Sequence, residues 1–261
     1  MPRLNANLSM LFTEVDFLDR FGAAADAGFG GVEYLFPYDF AIADIRQRLD
    51  DHGLRQVLFN LPAGDWAGGD RGIACDPARI GEFRDSVDRA IDYAGGLDCR
   101  QCNVLAGIPP SDCNLQLAHE TFVSNLRHAS VRFAEAGLRL LIEAINTRDI
   151  PGFFLHNSAQ AMRIIDEVAA DNLFFQYDIY HMQVMEGNLA ETIQRLLPRI
   201  GHMQLADNPG RHEPGSGEIN YRYLLSHIDA IGYQGWIGCE YLPASTTLEG
   251  LGWIEALAGK P

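Results

Sequence analysis

Four apolar, strand-like runs in the second half of the chain each end on a side chain that can bind a cation. Leu138–Ile142 runs into Glu143, Leu173–Tyr177 into Asp178, Ile200–Met203 into Gln204, and Gly235–Cys239 into Glu240. A carboxylate finishing a buried strand is costly unless a cation or hydrogen-bond donors compensate it. If the four strands are parallel neighbours, their last side chains emerge on one rim and converge on one hard cation. Three carboxylates and an amide oxygen suit Mg²⁺, with Mn²⁺ as the alternative, and leave positions open for substrate oxygens. A helix N-cap or an arginine partner accounts better for any single strand-end acid. Four such ends in consecutive strands favour a shared site.

The elements that must position these residues alternate without a break. Strand-like runs are expected at Asn5–Met10, Gly31–Tyr34, Leu54–Phe59 and Arg100–Leu105, followed by the four runs above. Helical spacing fills the intervals: Val15–Ala27, a stretch through Ile45 and Leu49, Pro77–Ala94, Gln116–Ala136, Ser158–Ala169, Leu189–Leu197, Tyr221–Ile231 and Thr247–Ala258. Such alternation implies a parallel sheet covered by helices. Eight units in 261 residues fit a (β/α)₈ barrel, with residues 1–261 as one domain. Asn7-Leu-Ser-Met-Leu-Phe follows the first strand in place of a Gly-rich phosphate turn, so a nucleotide-binding open sheet is disfavoured. In a barrel the C-terminal strand ends carry the active site. Glu143, Asp178, Gln204 and Glu240 all fall there.

Bulk properties exclude several chemistries. The net charge is −15, a balance that repels phosphate backbones and argues against a nucleic-acid partner. Lys260 is the sole lysine, near the C-terminus, which removes Schiff-base catalysis from a desolvated lysine. No run approaches the roughly 18 apolar residues of a membrane span, and no signal peptide is apparent. The 5 cysteines form no small-scaffold pattern, as expected in a reducing cytosol. Cys99-Arg-Gln-Cys102 has redox-motif spacing but leads into a strand rather than opening a helix, so buried structural cysteines are expected. A homo-oligomer is the base expectation for a soluble enzyme.

Further residues can serve the rim. His181, three residues past Asp178, can hydrogen-bond a substrate oxygen or carry a hydroxyl proton; a helix-capping role is the alternative. His202 alternates with Gln204 and faces the same side of its strand. Arg71, Arg148 and Arg211 lie in rim-side loops, and any of them can hold a substrate carboxylate through its planar fork. Glu33 ends the second strand, either orienting a ligand or pairing with a rim arginine. Trp66, in the long loop after strand three, suits a lid, a subunit contact or simple packing.

Longer stretches carry a resemblance. Ala6-Asn-Leu-Ser-Met-Leu-Phe, Asn60-Leu-Pro-Ala-Gly-Asp-Trp-Ala-Gly-Gly-Asp-Arg-Gly, Asp178-Ile-Tyr-His-Met-Gln, Arg211-His-Glu-Pro-Gly-Ser-Gly-Glu-Ile-Asn-Tyr and Gly238-Cys-Glu-Tyr resemble the hydroxypyruvate isomerase family, within the xylose-isomerase-like TIM barrels. The likeness spans nearly the whole chain. It implies interconversion of hydroxypyruvate and tartronate semialdehyde, a divalent metal at Glu143, Asp178, Gln204 and Glu240, and proton transfer by Glu143 and Glu240. Asn60, His181, Arg148, Arg211 and Glu33 are the candidate substrate-binding residues. The expected substrate is a small hydroxy-oxo acid. An isomerase or epimerase of a longer sugar acid, such as a 2-oxo-tetronate, is the nearest alternative. An abasic-site nuclease and a non-catalytic sugar-acid-binding barrel are more distant ones.

Overall fold

The structure, a computed structural model, describes residues 2–258, so Lys260 lies outside the described residues. Its strands are β1 (Arg3–Asn7), β2 (Gly31–Glu33), β3 (Arg55–Asn60), β4 (Gln101–Val104), β5 (Arg139–Glu143), β6 (Leu173–Asp178), β7 (Ile200–Leu205) and β8 (Trp236–Cys239). They hydrogen-bond in the order β1-β2-β3-β4-β5-β6-β7-β8 as a closed barrel. Helices lie between them: α1 (Arg20–Asp26), α2 (Ile42–His52), α3 (Ile80–Leu97), α4 (Leu115–Glu135), α5 (Ser158–Val168), α6 (Ile179–Met185), α7 (Leu189–Leu196) and α8 (Tyr221–Ala230). Two short helices follow, α9 (Thr247–Gly250) and α10 (Gly252–Ala258). The expected (β/α)₈ alternation is present. No helix among the described residues is long and apolar enough to cross a membrane.

Two compact units divide the chain. One takes Met1–Leu35, Ala43–Val57 and Tyr177–Pro261; the other takes Phe36–Ile42 and Leu58–Gln176. Within the first, β7, β8, β1 and β2 form a continuous parallel strip in which Gln204 lies opposite Gly238, Gly238 opposite Asn5, and Asn7 opposite Glu33. Side chains alternate across a strand with period two, so Asn5 with Asn7 and His202 with Gln204 each share a face. Within the second, β3, β4 and β5 pair in parallel and set Asn60 opposite Asn103. Helix α4 closes on that unit because Ala118, Phe122, Leu126, Ala129 and Phe133 recur at helical spacing and are all buried. Its first turn is capped by the Asn114 side chain, which accepts from the Gln116 N–H at 2.8 Å. Burying each of those phenylalanines stabilises by about 2–3 kcal/mol relative to exposure.

Several boundaries differ from the sequence expectation, among them β7, which runs one residue past Gln204 to Leu205. β1 spans Arg3–Asn7 rather than Asn5–Met10, because the Asn7 side chain accepts from the Ser9 N–H at 3.0 Å and turns the chain out of the sheet. The first helix is shorter than Val15–Ala27: Phe17–Asp19 form a 3₁₀ turn before α1. Helix α6 starts directly after Asp178, where a loop was expected. Cys99 and Cys102 are buried free thiols, with Cys102 inside β4. Burial pushes the Cys102 thiol well up, which keeps it protonated and inert.

The loops after β3 and β4 touch backbone to backbone at Gly72 and Gly107. A Cβ on Gly72 would lie 2.4 Å from the Leu105 carbonyl oxygen, and one on Gly107 would lie 2.2 Å from the Gly72 carbonyl oxygen. Both glycines have positive φ, 115° and 94°. Gly72→Ala is therefore expected to cost more than about 2 kcal/mol through strain and clash together. Thermal unfolding checks this, with a Tm drop of at least about 4 °C expected for a chain of this size; an unchanged Tm would contradict the packing.

Candidate active site

Asp178 ends β6 and caps α6, and the two jobs use different oxygens. Its Oδ1 accepts from the Tyr180 N–H at 2.8 Å and the His181 N–H at 3.2 Å. Its Oδ2 is buried with no hydrogen-bond partner within reach; His181 Nε2 lies 3.7 Å away and the Arg211 guanidinium 3.8 Å away. A carboxylate oxygen removed from water without a partner calls for a proton or a cation.

Glu240, one residue past β8, lies against the same arginine, with Arg211 Nη2 3.5 Å from Oε2. Burial, joined by the charges of Asp178 and Glu33, pushes the Glu240 carboxyl up to about 8 despite the opposing pull of Arg211. Two buried acids without enough positive charge fit a divalent cation, whose arrival would displace that proton.

Arg211 reaches these acids because its loop is wound around a buried carboxylate. Asp207 Oδ1 accepts from the Asn208 and Ile219 N–H groups at 2.9 and 3.0 Å, and its Oδ2 accepts from Gly215 N–H at 2.8 Å. An isolated bridge between Asp207 and His212 closes the loop, and Arg211 adopts a left-handed φ of 56°. Its guanidinium also stacks on the Tyr180 ring, 5.2 Å from the centroid. The other two candidate arginines do not share this setting. Arg71 stacks on Trp66 at 4.5 Å and donates to the Trp66 and Asp70 carbonyls. Arg148 is exposed in the turn after β5, its backbone N–H donating to Asn146 Oδ1 at 3.1 Å.

Glu143 ends β5 and is held by Asn103, whose Nδ2 donates to Glu143 Oε2 at 2.9 Å and to Asn60 Oδ1 at 3.1 Å. Asn60 thus orients Asn103, and both are buried. Glu143 is buried, and so are Asp178 and His181, the latter in the first turn of α6. Glu33 is buried under four donors: Asn5 at 2.8 Å, Asn7 at 3.1 Å, His202 at 2.7 Å and Gln204 at 2.8 Å. His202 and Gln204 bond one carboxylate, as expected for residues sharing a strand face.

Sequence reasoning did not single out Asn103 or Asp207. Asn103 carried a weak signal as an amide in a short strand it shares with Gln101, Cys102 and Val104. Asp207 follows β7 like an ordinary loop acid and gave none.

The chain from residue 21 to 257 matches the family model described as xylose isomerase-like TIM barrel. Hydroxypyruvate isomerase of Escherichia coli is 52% identical, over 98% of this chain and 99% of that one. The chain belongs to the xylose isomerase-like TIM barrel family, in its hydroxypyruvate isomerase group. A 2-oxo-tetronate isomerase of Cupriavidus necator is 48% identical over the full length of both chains. A crystal structure from Brucella melitensis, described as an AP endonuclease of family 2, is 46% identical and superposes with a TM-score of 0.96 over 98% of this chain and 99% of that one. The family membership agrees with the strand-end pattern of acids, which a barrel gathers on its C-terminal side.

Proposed function

We propose that this protein is a metal-dependent isomerase that interconverts hydroxypyruvate and tartronate semialdehyde. The observation that carries the reading is the pair Asp178 and Glu240: one oxygen buried without a hydrogen-bond partner, beside a carboxyl pushed up to about 8. The full-length similarity to hydroxypyruvate isomerase supports the choice of substrate. Glu143, Asp178, Gln204 and Glu240 are the residues that would hold Mg²⁺ or Mn²⁺. When bound, the cation supplies electrostatic stabilisation of the negative charge that develops on the two substrate oxygens.

The reaction moves one proton from C3 to C2 through an enediol, and the hydroxyl proton passes from the C3 oxygen to the C2 oxygen. One of Glu143 and Glu240 takes the C3 proton, and the other delivers a proton to C2; the roles exchange in the reverse direction. His181 carries the hydroxyl proton between the two oxygens. Arg211 binds the substrate carboxylate; its fork is already positioned among the acids, whereas Arg71 is engaged with Trp66 and Arg148 is exposed. Asn60 acts through Asn103 on Glu143.

A second reading is supported by the 48% identity to 2-oxo-tetronate isomerase: the same proton transfer on a substrate one carbon longer. A coupled assay comparing kcat/KM for hydroxypyruvate and a four-carbon 2-oxo acid separates them, with hydroxypyruvate expected to be preferred. A clear preference for the four-carbon acid would reverse the order. Nicking of abasic duplex DNA is expected to be absent, given the net charge of −15. The protein is read as a cytosolic homo-oligomer, to be checked by light scattering.

A further inference from the structure

Glu33 occupies space that exists because residue 238 has no side chain. A Cβ on Gly238 would lie 2.2 Å from Glu33 Oε1. Gly238 pairs with Asn5 on one side and Gln204 on the other, so the carboxylate rests in a gap between two amide side chains at one level of the sheet. All four of its hydrogen-bond partners come from β1 and β7 and act as donors. A carboxylate that meets four donors serves as an acceptor to each of them.

That condition acts on Gln204. The two ends of a glutamine amide are nearly the same size but opposite in character. With Nε2 donating to Glu33 Oε1 at 2.8 Å, the amide is committed: its oxygen lies on the edge facing away from Glu33. We propose that Glu33 is a positioning residue that fixes the Gln204 amide so that its oxygen, and not its nitrogen, is offered to the divalent cation of the active site. This assignment rests on the metal-dependent reading above. A fixed acceptor raises metal affinity because a wrongly turned amide would present hydrogens to the cation. The same logic predicts which residues can stand at position 204. Each must give a hydrogen to Glu33 and keep an acceptor for the metal. Histidine satisfies both conditions with its two ring nitrogens. Glutamate satisfies only the second.

The test is Mn²⁺ titration of the metal-free protein followed by electron paramagnetic resonance, with circular dichroism and thermal unfolding as controls for folding. Glu33→Gln is expected to weaken Mn²⁺ binding by about 10–100-fold. Gln204→Glu is expected to weaken it similarly, although it adds a negative charge, because it sets two carboxylates against each other. The double variant Glu33→Gln with Gln204→Glu exchanges donor and acceptor and is expected to bind Mn²⁺ more tightly than either single variant. Gln204→His is expected to stay within about tenfold of the unaltered protein, its second nitrogen bonding Glu33.

A folded Glu33→Gln protein with unaltered affinity, or a double variant no tighter than the weaker single one, overturns the assignment. If Glu33→Gln does not fold, the order of Gln204→His over Gln204→Glu decides, and the opposite order overturns it. An unaltered protein that takes up no Mn²⁺ removes the metal reading itself, before any variant is compared. The predicted affinity pattern without turnover of hydroxypyruvate removes the substrate reading and leaves Glu33 in its place.

Discussion

Replacing Glu143 or Glu240 with Gln is expected to lower kcat by about 10²–10⁴-fold, the usual contribution of a positioned acid or base. The substitution keeps the size of the side chain but removes its negative charge as well as its capacity to carry a proton, so the metal content of each variant is measured beside its turnover. At Glu143 the amide oxygen still accepts from Asn103, so the local packing is retained. At Glu240 the exchange removes a carboxyl that burial already penalises, so unfolding of that variant is not expected. The two variants differ in partial reactions. In deuterated water, the variant that keeps the base still exchanges the C3 hydrogen of hydroxypyruvate without completing turnover, and the other loses exchange as well. Which glutamate acts first on hydroxypyruvate follows from that comparison. Near-unaltered turnover in both variants would sink the two-glutamate mechanism.

Metal removal carries the second large effect. Turnover is expected to vanish on chelation and to return with Mg²⁺ or Mn²⁺; full activity after exhaustive chelation would refute metal dependence. The metal-free protein should also show a distinctive response to pH. Glu240 stands near 8 in the folded chain against an ordinary value of 4.5. Below about 4.5 the carboxyl is protonated in both the folded and unfolded states, and folding does not disturb it. Between these values the unfolded chain gives up the proton and the folded one keeps it, so stability falls as pH rises. Above about 8 the full penalty is present, on the order of a few kcal/mol. The metal-free Tm should therefore drop between pH 6 and pH 8 through this group, and bound Mn²⁺ should flatten the drop. At pH 7 metal binding should release close to one proton, read from calorimetry in buffers of different ionisation enthalpy. Uptake of metal without proton release at pH 7 would show that Glu240 is already ionised in the metal-free protein.

Most of the fold was legible in the chain because it rests on local signals. Apolar runs of strand length separated by helical spacing, with glycine stops such as Gly28 and Gly137, are written in neighbouring residues. The strand-end positions of Glu143 and Asp178 follow from the same reading, with Glu240 one residue past the end of β8, since a strand stops close to where its apolar run does. Helix α6 was not legible. It has 7 residues, and Ile179, Tyr180, His181 and Met182 are all buried, so no polar face marks its period. Its start depends on Asp178, for which a helix N-cap stood as the alternative to a ligand and which serves as the cap here.

The sequence by itself determined the alternating barrel, the acids at the strand ends and the chemistry those acids favour. Tertiary structure decided how each polar group is engaged. His202 and Gln204 lie 169 and 171 residues from Glu33 along the chain, and they meet only because β7, β8, β1 and β2 pair side by side. Arg211 was one of three equivalent arginines until Asp207 wound its loop toward Asp178 and Glu240. Asn103 was an amide in a strand until its register opposite Asn60 aimed it at Glu143. Residue type and spacing fix what a side chain is able to do. Which hydrogen it gives, and to whom, is set by strand pairing between residues far apart in the chain, and no local pattern encodes that.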